Sequence, residues 1–179
     1  GFYPDPSICR VGEDYYMVTS SFVYFPGLPF FHSKDLVHWE QIGHGIHRPD
    51  QLDYKNCVTS EGLWAPSIRY HNGTFYIINT FVSKGREADR DNYIITAKNP
   101  AGPWSDPVFV EGADGIDSSL FFDDDGSVWY VGNFISSECL YEGHHGIYLN
   151  ELDPVTLQFK GERRIIWDGK KTYSRWIEA

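Results

Sequence analysis

Cysteine is scarce in this 179-residue chain: Cys9, Cys57 and Cys139 are widely spaced, and no two form a C-x-x-C pair. An odd, scattered set argues against a disulfide framework and points to a reducing compartment. Cys9 falls in an expected core strand, where a thiol acts as a small hydrophobe. A cytoplasmic location is therefore the expectation, with secretion left open if a signal peptide once preceded Gly1. Positive charge is scarce as well. There are 15 Lys+Arg against 25 Asp+Glu, a net charge of −10, the reverse of the basic stripe that binds a nucleic acid. No run approaches the roughly 18 apolar residues needed to span a bilayer, so no membrane partner is expected. Helical periodicity, a glycine-rich phosphate loop and a G-x-S-x-G elbow are all missing. His44-x-x-His47 has no further ligand in register, and adjacent His144 and His145 would face opposite sides of a strand. No metal or cofactor is expected from these patterns.

Aromatic residues, by contrast, are plentiful: 6 Trp, 12 Tyr and 12 Phe. With Asn-Gly and Asp-Gly turns between short apolar runs, they indicate a strand-rich protein. One pattern is written three times. Asp5-Pro6-Ser7-Ile8-Cys9-Arg10 turns at Gly12-Glu13-Asp14 into Tyr15-Tyr16-Met17-Val18. Ala65-Pro66-Ser67-Ile68-Arg69-Tyr70 turns at Asn72-Gly73 into Phe75-Tyr76-Ile77-Ile78. Asp117-Ser118-Ser119-Leu120-Phe121-Phe122 turns at Asp125-Gly126 into Val128-Trp129-Tyr130-Val131. Two further strands follow each hairpin, around 30–33 and 39–42, 93–97 and 108–110, and 146–149 and 164–167. A fourth copy opens at Glu178-Ala179.

Several of these runs are apolar at consecutive positions, as strands buried on both faces are. Four short strands per repeat, stacked face to face, describe a β-propeller blade. A β-sandwich would show cleaner alternation and gives no reason for repeats in phase. The reading is an all-β propeller in one domain: a first blade over about 1–60, a second over 61–112, a third over 113–170, and the start of a fourth over 171–179. Because propellers close with about four to eight blades, the sequence reads as part of a longer chain. The long polar connection from His44 to Leu63 has the length of a functional loop. The charged stretch from Val82 to Asn92 reads as a solvated hairpin tip.

The first position of each copy reads Asp5, Ala65, Asp117 and Glu178. The first strand of a blade is innermost, so these positions converge at the mouth of the central channel. Each carboxylate alone has a plain structural reading as a turn, a cap or mere surface. Three at one repeat position point instead to an acid and a base held side by side. Paired carboxyl groups flanking a bond are the machinery of glycoside hydrolysis. Trp64 shares their phase and would offer a ring to a sugar face. Phe22, Tyr24 and Phe25, just after the first hairpin, stand near the same mouth, with core packing as the alternative for each.

Gly1-Phe2-Tyr3-Pro4-Asp5-Pro6-Ser7-Ile8-Cys9-Arg10, Phe25-Pro26-Gly27, His32-Ser33-Lys34-Asp35-Leu36, Trp64-Ala65-Pro66 and Gly115-Ile116-Asp117 closely resemble glycoside hydrolase family forty-three. Within it they look most like the β-xylosidase and α-arabinofuranosidase branch. The resemblance implies a five-bladed propeller and an inverting hydrolase. By it, Asp5 is the general base, Glu178 the general acid, and Asp117 the residue that tunes the pKa of that acid and orients it. Trp64, Ala65, Ile116 and Phe22 would bind substrate, a xylo- or arabino-oligosaccharide. Two departures stand out. The family usually has Pro after the second aspartate, where Ser118 would loosen the backbone. It also follows the acid with a small residue, Pro and His, of which only Ala179 is present. The blades that supply a substrate-binding Arg, and in some members a channel calcium held by His, lie outside this sequence. Activity of this piece alone, and a homo-oligomeric state, stay open. A non-catalytic sugar-binding propeller, an arabinan-cleaving member of the same family and a purely structural interaction propeller are the alternatives.

Overall fold

The computed structural model describes residues 1–83 and 90–178. Most of the charged stretch expected as a hairpin tip, and Ala179, lie outside the described residues. Among those described there is no helix, and the strands form three antiparallel sheets. The first runs β1 (Ser7–Val11), β2 (Asp14–Val18), β3 (Gly27–Ser33), β4 (Glu40–Ile46) in spatial and sequence order. The second contains β5 (Gly62–Leu63), β6 (Ser67–His71), β7 (Thr74–Val82), β8 (Arg90–Ala97) and β9 (Val108–Phe109). There both β5 and β6 pair with β7. The third runs β10 (Ser119–Phe122), β11 (Val128–Ile135), β12 (His145–Leu152), β13 (Phe159–Trp167). These are propeller blades, and every strand expected from the repeat is present.

The repeat phase becomes register. Ser7, Ser67 and Ser119 are the first residues of β1, β6 and β10, and they pair with Val18, Ile78 and Val131. The turns explain why these hairpins close where they do. At Asn72-Gly73 both residues have positive φ, 46° and 74°, the type I′ geometry that suits a two-residue hairpin. The inner strand β6 lies between β1 and β10.

Two hydrophobic seams join the three sheets. Val18, Leu28, Phe30, Ile68, Phe75, Ile77, Ile95 and Trp104 fill the first. Ile78, Ile94, Leu120, Val128, Tyr130, Tyr148 and Leu152 fill the second. Successive residues of β7, Ile77 and Ile78, thus serve opposite seams, because side chains alternate across a strand. Burial on both faces holds for this middle sheet only. In β2 Val18 is buried while Tyr15, Tyr16 and Met17 are half-exposed, and β11 alternates over Val128–Val131. The outer sheets have a neighbouring sheet on one face among the described residues, which is the reason for that difference.

Candidate active site

Asp5 and Asp117 stand two residues ahead of β1 and β10, with φ of 54° and 55°. Left-handed backbone is costly for most L-residues and least so for Asn and Asp among those with a side chain. The conformation takes each carboxylate out of its strand direction before the ladder begins. Ser20, two residues past the end of β2, donates its hydroxyl to Asp5 Oδ2 at 2.5 Å, and its N–H to the Pro4 carbonyl at 3.0 Å. After Asp117, Ser118 stands where the resemblance expects proline. Ser118 is buried, and its hydroxyl lies 2.6 Å from Tyr130 OH, a hydrogen bond that a proline could not make.

In the second sheet the inner strand is broken into β5 and β6, and Trp64-Ala65-Pro66 occupy the gap. Trp64 is held at three points. Its N–H donates to Thr80 O at 3.1 Å, its carbonyl accepts Asn79 Nδ2 at 2.6 Å, and its indole Nε1 donates to Ser60 O at 2.9 Å. Asn79 is itself oriented by Tyr93, whose OH donates to Asn79 Oδ1 at 3.1 Å. Burial pushes the Tyr93 phenol well above its usual range, which keeps it a donor.

Phe22 reaches the same rim from the first sheet. It forms a backbone bridge with Leu63 across the blade boundary, with N–H···O distances of 2.9 and 3.0 Å. Gly62 permits this: a Cβ there would meet Phe22 O at 2.3 Å. Tyr24 and Phe25 do not join the pocket. Tyr24 N–H turns back to Ser21 O at 2.9 Å, and Phe25 packs edge-on against Tyr54. The bridge at Phe22 commits the chain to leave the mouth immediately afterwards.

Glu178 lies on a segment without strand structure, tied to the third sheet. Trp176 N–H donates to Gly143 O at 2.9 Å, and Tyr141 OH donates to the carbonyls of Gly169 and Ser174. The Ile177 carbonyl accepts Asn133 Nδ2 at 3.2 Å and His145 Nδ1 at 3.3 Å. His144, by contrast, is buried and structural. Its Nε2 donates to Asp168 O at 2.8 Å while Nδ1 accepts the Leu140 N–H. The two adjacent histidines bond different groups, His144 Nε2 to Asp168 O and His145 Nδ1 to Ile177 O.

These separate elements meet. Asp5, Phe22, Trp64, Ala65, Ile116, Asp117 and Glu178 line one open pocket of about 420 Å³. Each residue named from the sequence as catalytic or substrate-binding is there, together with Ser60, which was not. Ser60 comes from the end of the connection between β4 and β5, which is shorter at both ends than the expected His44–Leu63 loop because His44 lies in β4 and Leu63 in β5. Its positive φ of 74° has no sequence cue of the kind an Asn-Gly turn provides. The volume suits a small polar ligand. A second pocket shares Asp5, Ala65 and Asp117 and is lined further by Ser7, Ser67, Ser119 and Arg69, and a third of about 500 Å³ shares Ile116. Among the described residues no three His, Cys, Asp or Glu side chains gather closely enough to hold a metal ion. The three carboxylates therefore share a pocket without forming a tight ligand cluster.

Known proteins resemble this chain over its length. A family model described as glycosyl hydrolases family 43 matches residues 1–179. A xylosidase/arabinosidase of Butyrivibrio fibrisolvens is 50% identical over 182 residues, which cover 100% of this chain and 34% of that protein. A non-reducing end alpha-L-arabinofuranosidase of Bacteroides ovatus is 53% identical over 170 residues, 94% of this chain and 30% of that protein. Among solved structures, a xylan beta-1,4-xylosidase from Bacillus halodurans superposes with a TM-score of 0.84 at 43% identity, covering 96% of this chain and 33% of that one. The chain thus spans about a third of the length of the curated relatives it matches.

Proposed function

Because the chain belongs to family 43 of the glycosyl hydrolases, we propose that the full-length protein is an inverting, exo-acting glycosidase. Its substrates are xylo- or arabino-oligosaccharides, from whose ends it removes xylose or arabinose. The observation that carries this reading is the convergence of Asp5, Asp117 and Glu178, from three separate parts of the fold, on one pocket rimmed by Trp64 and Phe22.

The division of labour follows from what glycoside cleavage requires. An inverting enzyme needs a base to take a proton from water on one side of the sugar and an acid to protonate the leaving oxygen on the other. The two carboxyl groups of such a pair stand about 6.5–9.5 Å apart. Asp5, held by Ser20 on the first sheet, takes the base role. Glu178, on the segment docked to the third sheet, gives its proton to the departing oxygen. Asp117, on the loop leading into β10, orients that acid. The bond that breaks is from the anomeric carbon to the leaving oxygen, and the bond that forms is from the same carbon to water oxygen. The Asp5 carboxylate gains the proton the water loses. Trp64 and Phe22 present apolar ring surface to the C–H faces of the sugar, and Ala65 leaves space where the other repeats carry a carboxylate.

The test uses the full-length protein with nitrophenyl xyloside, nitrophenyl arabinofuranoside and the matching oligosaccharides. One of the pentosides should be cleaved, releasing sugar of inverted anomeric configuration by NMR. Asp5→Asn and Glu178→Gln should each lose about 10²–10⁴-fold in rate on the oligosaccharide. A wild type that binds pentose oligomers and cleaves none of them would instead be a sugar-binding propeller.

A further inference from the structure

Asn133 is 2% exposed, near the end of β11, where its backbone pairs with Ile147 of β12. Its side-chain amide makes two hydrogen bonds to backbone groups from separate parts of the chain. Oδ1 accepts the N–H of Ile116 at 3.1 Å, and Nδ2 donates to the carbonyl of Ile177 at 3.2 Å. Ile116 immediately precedes Asp117, and Ile177 immediately precedes Glu178. The donor and acceptor requirements of the two backbone groups leave the amide a single orientation. Gly115 is shaped around it: a Cβ there would lie 1.8 Å from Asn133 Oδ1 and 2.3 Å from its carbonyl oxygen. The second donor to Ile177 O, His145 Nδ1, comes from β12, the strand paired with β11.

We propose that Asn133 is a positioning residue for proton donation: one buried amide sets the spacing between the Asp117 and Glu178 backbones, with His145 as an auxiliary tie on the Glu178 side. The inference rests on the function proposed above. A rigid strand carries the amide, so the two segments that bear the carboxylates are referenced to one point on β11. Without the amide, the acid segment keeps its anchors at Gly143 and Tyr141 but loses its link to the Asp117 loop. Proton transfer falls steeply with small misplacement of a group, and a shift near 1 Å costs about 10²-fold.

Leaving groups separate this role from a general loss of structure. A dinitrophenolate departs with little protonation, whereas a sugar alkoxide needs the acid. In the full-length protein, Asn133→Asp keeps an acceptor for Ile116 N–H and sets an oxygen against Ile177 O. It should lower kcat on the natural disaccharide by about 10²-fold and leave kcat on the dinitrophenyl glycoside within about threefold of wild type. His145→Gln, at a half-exposed position that folding tolerates, should show the same selectivity at smaller size. That variant keeps the proposal testable should Asn133→Asp fail to fold. Equal losses on both substrates, or no loss on either, would overturn the positioning role while the hydrolase reading stands. A wild type inactive on every pentoside would overturn both.

Discussion

Asp5 and Asp117 share one backbone conformation, φ 54° and 55°, at the same distance ahead of their inner strands. Ala65, in phase with them, has no positive φ. The left-handed turn marks the two aspartates and is not a general property of the repeat, since Glu178 lacks it as well. Aspartate suits both demands, since it bears the charge and tolerates the turn better than most residues.

Asp5→Asn and Asp5→Ala should therefore part company in stability. Asparagine accepts left-handed backbone at least as well as aspartate, whereas alanine meets the full steric penalty, about 1 kcal/mol. Urea denaturation should place Asp5→Asn close to wild type and Asp5→Ala lower by about that amount. Coincident midpoints would mean that the backbone relaxes without cost.

Among the described residues Ser20 is the one side chain hydrogen-bonded to the Asp5 carboxylate, and its loss should be felt in chemistry more than in binding. Ser20→Ala is expected to lower kcat about tenfold, the effect of roughly 1.4 kcal/mol of transition-state stabilisation, with KM changed less than twofold. Ser20→Thr, which keeps the hydroxyl, should recover most of the rate. A rise in KM at constant kcat would place Ser20 in substrate binding instead.

Gly115 combines a φ of 76° with a neighbour that leaves no space for a methyl group. Gly115→Ala should destabilise the fold by about 1–3 kcal/mol. It should also reduce hydrolysis of the natural disaccharide more than of a dinitrophenyl glycoside, because the displaced group is Asn133. Thermal unfolding and the two rate measurements on one preparation decide the matter.

Cys9 supplies a pH dependence. Burial pushes its thiol up to about 11 from an ordinary value of 9.0, with Arg69 pulling weakly the other way. Between about pH 9 and 11 the unfolded chain has released this proton while the folded chain keeps it. The unfolded state then binds fewer protons, and stability falls as pH rises. Below pH 9 both states are protonated and the contribution is intact. Denaturation from pH 8 to 10.5 should show a shallower decline for Cys9→Ala than for wild type, whatever the offset between the two curves. Native Cys9 should also resist a thiol reagent at pH 8 that labels exposed Cys139.

The legible part of this protein was its local part. Hairpin turns at Gly12, Asn72-Gly73 and Asp125-Gly126 declare themselves by residue type, and the strands beside them by apolar runs. Phase alone then brought Asp5, Ala65, Asp117 and Glu178 together, with Trp64 beside Ala65. The polar residues that hold the site were harder to see. Ser20, Thr80 and Asn133 occupy one repeat position, two past the residues that pair with Ser7, Ser67 and Ser119. Each bonds a different group: a carboxylate, the side chain of Asn92, and two distant backbone atoms. Residue type varies because the partner varies, so no recurring letter marks the position. The surviving sequence signal is a polar residue where an apolar strand reaches the channel. Tyr24 and Phe25 misled for the converse reason, since a cross-blade bridge at Phe22 redirects the chain and bridges of that kind leave no local signature.

The sheets that carry Asp5 and Trp64 pack together through the first hydrophobic seam, and those that carry Trp64 and Asp117 through the second. No single segment therefore owns the mouth, and its width is a sum of two interior contacts lined by residues that never see a sugar. Close-packed interiors resist compression and transmit strain, so the chemistry inherits its dimensional tolerance from Ile68, Ile77, Ile78 and Leu120. Selection for the right gap between acid and base would then act on buried aliphatic side chains, and their volumes would drift less freely than fold stability alone requires.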